Sequence, residues 1–279
     1  MRRALGTILG FRPAGVYVPY GDAAALAAPT TEYRAVAAAF EARRDVFQAV
    51  LDAVDARAEA LTAIGDAPAP APRWTQGWFP TLDAAVAYTI VRDRAPGRIV
   101  EVGSGHSTRF LARAIADGGL ATRLVAVDPR PRADLKGLAV DWRRRRVQEE
   151  DPAVLADLAP GDVLFIDSSH VALPGSDVDW LVGRVVPALP AGVLVHFHDI
   201  HLPDDYPFQW LWRRYNEQLL VTALIAGGGF RVLFAARWAE TRLAQAVART
   251  VVGRLPRFKG APAGSLWLEK TAPPIGPAG

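Results

Sequence analysis

The chain contains no cysteine. Disulfides, thiolate metal sites and a cysteine nucleophile are therefore excluded. It also lacks any apolar run near the roughly 20 residues of a membrane-spanning helix, so no membrane is expected as a partner and the cytoplasm is the expected compartment. In the opening "MRRALGTILGF" the apolar run is short, broken by Gly6 and Gly10 and followed by Arg12-Pro13. With no small-residue cleavage site close behind, it reads as part of the mature protein. Charge of one sign is scarce, the formal net being +3. Basic residues are not interleaved with aromatics, so nucleic acid is not an expected partner. The run Arg143–Arg146 reads as a solvated edge strand. Core-forming residues, by contrast, are plentiful. At 279 residues and 51% hydrophobic, the chain can build one large domain or a domain with an appendage.

Phe40, Phe47, Leu51, Val54 and Leu61 mark one face of a helical region over 32–64. The proline-rich "DAPAPAPR" (66–73) reads as an extended linker. This sets an N-terminal helical region with its linker at 1–75 and a second domain at 76–279. A further helix is expected over 81–94, with Thr81 as N-cap. Four short apolar runs follow: "RIVEVG" (98–103), "RLVAVD" (123–128), "DVLFID" (162–167) and "GVLVHFHD" (192–199). Such runs are strands buried on both faces, as in a parallel sheet. Helical patterns over 107–117, 151–158 and 177–189 separate them, and "FRVLFA" (230–235) and "SLWLEK" (265–270) read as two more strands. Strand alternating with helix predicts an α/β, doubly wound, Rossmann-like sheet with an N-terminal helical extension.

"EVGSGHST" (101–108) is a glycine-rich turn leaving a strand and opening a helix. Gly103 and Gly105 permit a tight turn and close approach to a ligand. Where a dinucleotide fingerprint would have its third glycine stands Thr108, which disfavours a pyrophosphate. Asp128, ending the next strand, can accept both hydroxyls of a ribose. The pair suggests a nucleoside ligand without a diphosphate; a purely structural turn is the alternative.

With "RIVEVGSGHSTRFLA", "LVAVDPRP", "GDVLFIDSSH", "VHFHDIHLPDDYP" and "SLWLEK" in this order, the chain resembles class I S-adenosylmethionine (SAM)-dependent methyltransferases. Within them it is similar to the bacterial small-molecule branch that includes metal-dependent O-methyltransferases of macrolide sugars and catechols. The resemblance covers about residues 76–236 and the last strand. It implies a seven-stranded, mostly parallel sheet with the last strand antiparallel. SAM would lie over the C-terminal strand ends. Glu101, Gly103 and Gly105 would flank its methionine part, and Asp128 its ribose. Glu149, Glu150 or Asp151 would lie near the adenine, and His106 would cover the cofactor.

Three of the five histidines fall in "VHFHDIH" (195–201). In this topology the strands ending at Asp167 and Asp199 are neighbours, roughly 5 Å apart. Two carboxylates that close repel unless something positive lies between them. A divalent metal is the expected answer, held by Asp167 and Asp199 with His198 as a third ligand; the imidazole favours Mn²⁺ or Fe²⁺ beside Mg²⁺. His196, deeper on the same face, is expected as core or support. His201 is either a substrate contact or plain loop, and Asp204 and Asp205 are expected to be solvated. His170 lies where the resembling enzymes carry the proton-abstracting base. The expected function is methyl transfer to a hydroxyl of a small molecule, with the base titrating near 6.5 and with Trp74, Trp78, Phe79, Tyr206 and the N-terminal helices as a cover. A homo-oligomer is compatible with this reading. The rivals are metal-free N- or C-methyl transfer, and an oxygenase or hydrolase with a two-histidine, one-carboxylate metal site.

Overall fold

A computed structural model describes residues 2–11, 32–150, 154–155 and 157–275. The helix expected over 151–158 falls largely outside these residues, as does Asp151. The chain divides into two compact units, Met1–Thr30 and Thr31–Gly279. The first contributes helix α1, Arg2–Ile8. All other described elements belong to the second. Helices α2 (Arg34–Glu41), α3 (Arg44–Asp55) and α4 (Ala58–Thr62) join the main body because their apolar stripe is buried in it. Phe47 packs edge-on against Phe234 at 5.5 Å and Trp238 at 5.3 Å.

The sheet has seven strands: β1 (Arg98–Val102), β2 (Arg123–Val127), β3 (Asp141–Arg143), β4 (Val163–Ile166), β5 (Leu194–Phe197), β6 (Phe230–Ala235) and β7 (Leu266–Lys270). Their order is β3-β2-β1-β4-β5-β7-β6. The first five are parallel; β7 runs antiparallel to both β5 and β6. The continuous apolar runs form the central strands because both faces are covered. Val163, Leu164, Phe165 and Ile166 are all fully buried.

Helix α5 (Thr81–Arg94) is buried from Thr81 to Val91, as expected of a helix without a polar face. Its N-cap is Pro80, and the Thr81 hydroxyl instead donates to the Pro256 carbonyl. Helix α6 (His106–Gly118) follows β1, and a helical segment over 177–188, α7, connects β4 to β5. Helix α8 spans Glu217–Ala226. The chain leaves β1 towards β2 on one side and reaches β4 on the other. This reversal opens a crevice at the carboxyl ends of β1 and β4, the usual ligand position in such sheets. Among the described residues no helix is long and apolar enough to cross a membrane.

The arginine run sits at the β3 edge and is largely paired. Arg143 meets Glu150 at 2.6 Å and Asp141 at 3.3 Å, and Arg144 lies over the Trp142 ring.

Candidate active site

The strand ends meet the first turn through backbone. Gly103 has φ +79°, and a Cβ placed there would lie 1.8 Å from the Asp167 carbonyl oxygen. Only glycine lets the β1 exit pass the β4 exit this closely. The Asp167 N–H donates to the Val102 carbonyl at 2.8 Å, which ties the two ends together. Glu101 lies beneath the turn, fully buried. Ser107 and Thr108 each donate a hydroxyl to it at 2.6 Å, and Thr108 also accepts from the Gly105 N–H. Thr108 thus laces the turn where a third glycine would have packed. Burial pushes the Glu101 carboxyl up to about 8 despite these bonds.

Asp128 is held by the same loop. One carboxylate oxygen accepts from the Ser104 N–H at 2.7 Å and the other from the Arg130 N–H at 2.7 Å. Together Gly103, Ser104, His106, Asp128, Val147 and Gln148 line part of a cavity of about 710 Å³. That is room for a ligand of nucleoside-plus-amino-acid size. Glu101 and Gly105 support the turn from outside this cavity. Glu149 does not line it either: the carboxylate is exposed and accepts from the Arg146 N–H. Glu150 is buried against Arg143. The residues beside the β3 exit that do line the cavity are Val147 and Gln148.

The far wall of this cavity carries a carboxylate–imidazole cluster. Asp167, His170, His198 and Asp199 all line it. His170 Nε2 lies 3.4 Å from Asp167 Oδ1 and 3.4 Å from Asp199 Oδ2. Its Nδ1 lies 2.9 Å from Glu217 Oε2. His198 Nδ1 lies 3.3 Å from Asp167 Oδ1, and its Nε2 3.5 Å from Asp83 Oδ2. Asp83 and Glu217, neither expected from the sequence, are fully buried. Asp83 also accepts the N–H groups of Gly264 and Ser265 at 2.9 and 3.0 Å. Burial disfavours a charged ring at His170, but Asp167, Glu217 and Asp199 outweigh it and hold its pKa well above the ordinary 6.5. His198 is raised in the same way by Asp167 and Asp199. Burial would raise the Asp167 carboxyl; the two imidazoles instead hold it below the usual carboxylate range.

His170 has φ +61°, an uncommon conformation for a side-chain-bearing residue. It is fixed from the other side of the loop. The N–H groups of Asn216 and Glu217 donate to its carbonyl at 3.0 and 3.2 Å, and Asn216 bonds Ala172 in both directions. The start of α8 thus clamps the 168–172 loop and delivers Glu217 to the ring.

In this arrangement two imidazoles answer the strand-end acids: His170, and His198, whose Nδ1 also lies 3.6 Å from Asp199 Oδ1. The Nε2 of His170 occupies the ground between Asp167 and Asp199. Among the described residues no group of three or more His, Asp and Glu side chains is placed to hold a metal ion. The ligand set Asp167, His198 and Asp199, as arranged, does not fit one, and neither does an oxygenase-type site built on His198 and Asp199. His196 is a core residue. Its Nε2 pairs with the Ser265 hydroxyl at 2.9 Å, and its ring stacks on Phe165 at 3.7 Å. His201 is buried among Tyr206 and Trp210 and lines neither cavity described here. Asp204 pairs with Arg242 at 2.8 Å.

A second cavity, of about 450 Å³, adjoins the first. Trp78, His106, His198, Asp199 and Arg213 line both. Gln76 is buried and accepts the N–H groups of Trp78 and Phe79. It thereby fixes the turn that sets Trp78 between the chambers, under the Arg132 guanidinium at 4.3 Å. Trp74, expected in the cover, is a core residue packed on Phe110, whereas Phe79 packs on Phe110 and also lines the first cavity. Tyr206 and helices α2 to α4 do not line either chamber.

Residues 100–200 match the family described as a methyltransferase domain. No curated protein sequence matches the chain significantly. Among solved structures, the chain is similar to the S-adenosylhomocysteine-bound methyltransferase PaMTH1 of Podospora anserina. Identity is 16%, over 92% of this chain and 100% of that one, with a TM-score of 0.40. It is also similar to the O-methyltransferase TomG of Streptomyces achromogenes, solved with SAM. There, too, identity is 16%, over 80% of this chain and 90% of that one, with a TM-score of 0.40. At these scores the likenesses carry no weight for the site or the substrate. The stretch matched by the methyltransferase-domain family, residues 100–200, runs from β1 through the glycine turn to the exit of β5, and so carries both walls of the crevice.

Proposed function

We propose that the chain transfers the methyl group of SAM to a hydroxyl of a small molecule, with His170 taking the hydroxyl proton at Nε2. The observation that carries this reading is the pair His170 Nδ1–Glu217 at 2.9 Å, with Nε2 facing the acids of the cavity wall. A base whose second nitrogen is held by a buried carboxylate has a fixed tautomer and a fixed direction. The cradle also suits the cofactor: a glycine turn, a carboxylate already oriented at Asp128, and a cavity of fitting size. SAM, when bound, supplies the activated methyl on a sulfonium.

The chain's own work is positioning and proton handling. Asp128 would hold the ribose, with Ser104 and Arg130 keeping its carboxylate still. Neutral His170 accepts the acceptor's proton at Nε2, and the resulting imidazolium is stabilised by Glu217, Asp167 and Asp199. Trp78 with Arg132 stacked on it helps to exclude water from the junction of the chambers. Orientation of this kind supplies much of the rate.

The test uses methyl-labelled SAM and matched pairs of small hydroxyl compounds and their methyl ethers. Label arriving as an O-methyl group, and only where a free hydroxyl is present, is the expected result. Label on nitrogen or carbon, or equal transfer to the blocked compounds, would overturn the reading.

A further inference from the structure

We propose that the second chamber is the acceptor site and that it selects acceptors bearing a carboxylate, which it pairs with Arg73. This rests on the hydroxyl-transfer reading above and adds the substrate class. The lining joins two chemically different groups. His198 and Asp199 form the wall shared with the first cavity, beside His170. Arg73 and Thr75 belong to the segment that leads into the turn of Trp78. Trp78, Trp210, Phe258, Pro80 and Pro262 add apolar, flat faces.

Two arginines line this chamber, and only one is already engaged. Arg213 lies 3.8 Å from Asp199 Oδ2 and stacks on the Trp210 ring at 4.1 Å. Arg73 has no hydrogen-bond or ion-pair partner among the described residues. The charge of Arg109 repels it. It helps to depress the pKa of both His106 and Arg109, in each case after burial as the larger cause. Arg109 is itself buried and, among the described residues, bonded to the Asp134 carbonyl, at 3.1 and 2.8 Å. The nearby acid Asp66 is tied to the N–H groups of Trp74 and Thr75. His106, held down to about 4, carries no charge at neutral pH, and its buried Nδ1 has no partner.

Asp134 answers the charge of Arg109, whereas Arg73 pairs with no carboxylate among the described residues. Like charges brought together in a folded structure cost stability unless something of opposite sign arrives. An acceptor whose carboxylate reached Arg73, and whose flat body lay along the aromatic lining, would present a hydroxyl at its other end to Asp199 and His170. Selectivity follows from a charge-assisted bond that a neutral analogue cannot form.

The probes are ring isomers of hydroxybenzoate and the corresponding hydroxybenzamides. Each is titrated by calorimetry into the protein loaded with S-adenosylhomocysteine, then offered with SAM. At least one acid should bind about 10–100-fold more tightly than its amide. Arg73→Gln should bring the acid down to the amide's affinity, and Arg73→Lys should restore part of the preference. S-adenosylhomocysteine binding and thermal melting of the variants, matched to the parent, show that they are folded. Equal binding of acid and amide, equal weakening of both by Arg73→Gln, or binding of neither would overturn the proposal. The two readings fail separately. Transfer to amides with no preference for acids keeps hydroxyl transfer and removes this inference. Arg73-dependent acid binding without transfer to any probe keeps the chamber assignment and removes hydroxyl transfer for these compounds.

Discussion

On the β1–β2 side of the crevice, position is set by backbone. Gly103 clears the Asp167 carbonyl, the Asp128 carboxylate is held by two N–H groups, and Thr108 laces the turn to Glu101. Apart from Asp167, these partners lie within one βαβ unit and the turn that follows it. On the β4–β5 side, position is set by buried and half-buried side chains that come from four separate segments: Asp83, the Asp167–His170 loop, the His198–Asp199 pair and Glu217. The first side tolerates a ligand of fixed shape and carries little charge to balance. The second holds charges close together, and each is supported by another. A rigid cofactor cradle thus stands against an acceptor wall that can change protonation without moving its backbone.

The comparison breaks most visibly at its seam. Gly103→Ala places a Cβ on the Asp167 carbonyl at positive φ, so β1 and β4 must part. Stability should fall by about 3 kcal/mol or more, with loss of cofactor binding. Denaturant unfolding and calorimetry would read both, and near-parental values would show that the seam is soft.

His170→Ala should sharpen the division. Turnover should drop by about 10²–10⁴-fold, while S-adenosylhomocysteine affinity stays near the parent's, because the residue serves the acceptor wall. Near-parental turnover on a true acceptor would remove His170 as the base.

Glu217→Gln should cost about 10–100-fold in turnover, the range for a residue that orients another. Its distinctive mark is in pH. The folded pKa of His170 is raised, so the neutral base appears only as pH rises well past the ordinary imidazole value of 6.5. The acidic limb of kcat/KM should therefore lie well above that value. Losing the Glu217 charge should move it to lower pH. A purely structural role would change the amplitude and leave the limb in place. By the same linkage, the contribution of His170 to stability is full below about 6.5 and is lost as pH rises through the folded value.

On the cradle side, Asp128→Ala should weaken cofactor binding by about 1–3 kcal/mol through unpaired ribose hydroxyls, with the pH limb unmoved. The smallest expected effect is that of a chelator. With Nε2 of His170 already between the acids, turnover in excess chelator should equal that without it; loss of activity restored by Mg²⁺ or Mn²⁺ would reverse the reading of the wall.

This contrast also explains what could be read from the sequence. Apolar runs ending in acids mark the central strands, since burial on both faces leaves a local signature, and the glycine turn with Asp128 lies within one local unit. The closeness of Asp167 and Asp199 follows from strand adjacency. What fills the space between them does not. That depends on the left-handed backbone at His170 and on Glu217, 47 residues away. No periodicity encodes such a pairing, and a metal was expected where a ring stands. Asp83 is hidden in a helix that reads as ordinary core. The second chamber is assembled from turns around 73–80, 210–213 and 258–262, whose approach is purely tertiary. The N-terminal helices were legible as helices, but not as part of the sheet's packing.

The position of β7 bears on the order in which this molecule comes into being. It is the last strand in the sequence, yet it lies between β5 and β6. Gly264 and Ser265 at its entrance bond Asp83, Ile200 and His196. A ribosome that had released everything up to β6 would have made every acid and histidine of the acceptor wall, but not the strand on which that wall rests. Since chains emerge from the N-terminus, the cradle can form early, while the wall waits for the final insertion. Competence for transfer would then arrive late and all at once, and a nascent chain short of residue 264 would be able to hold a cofactor before it could use one.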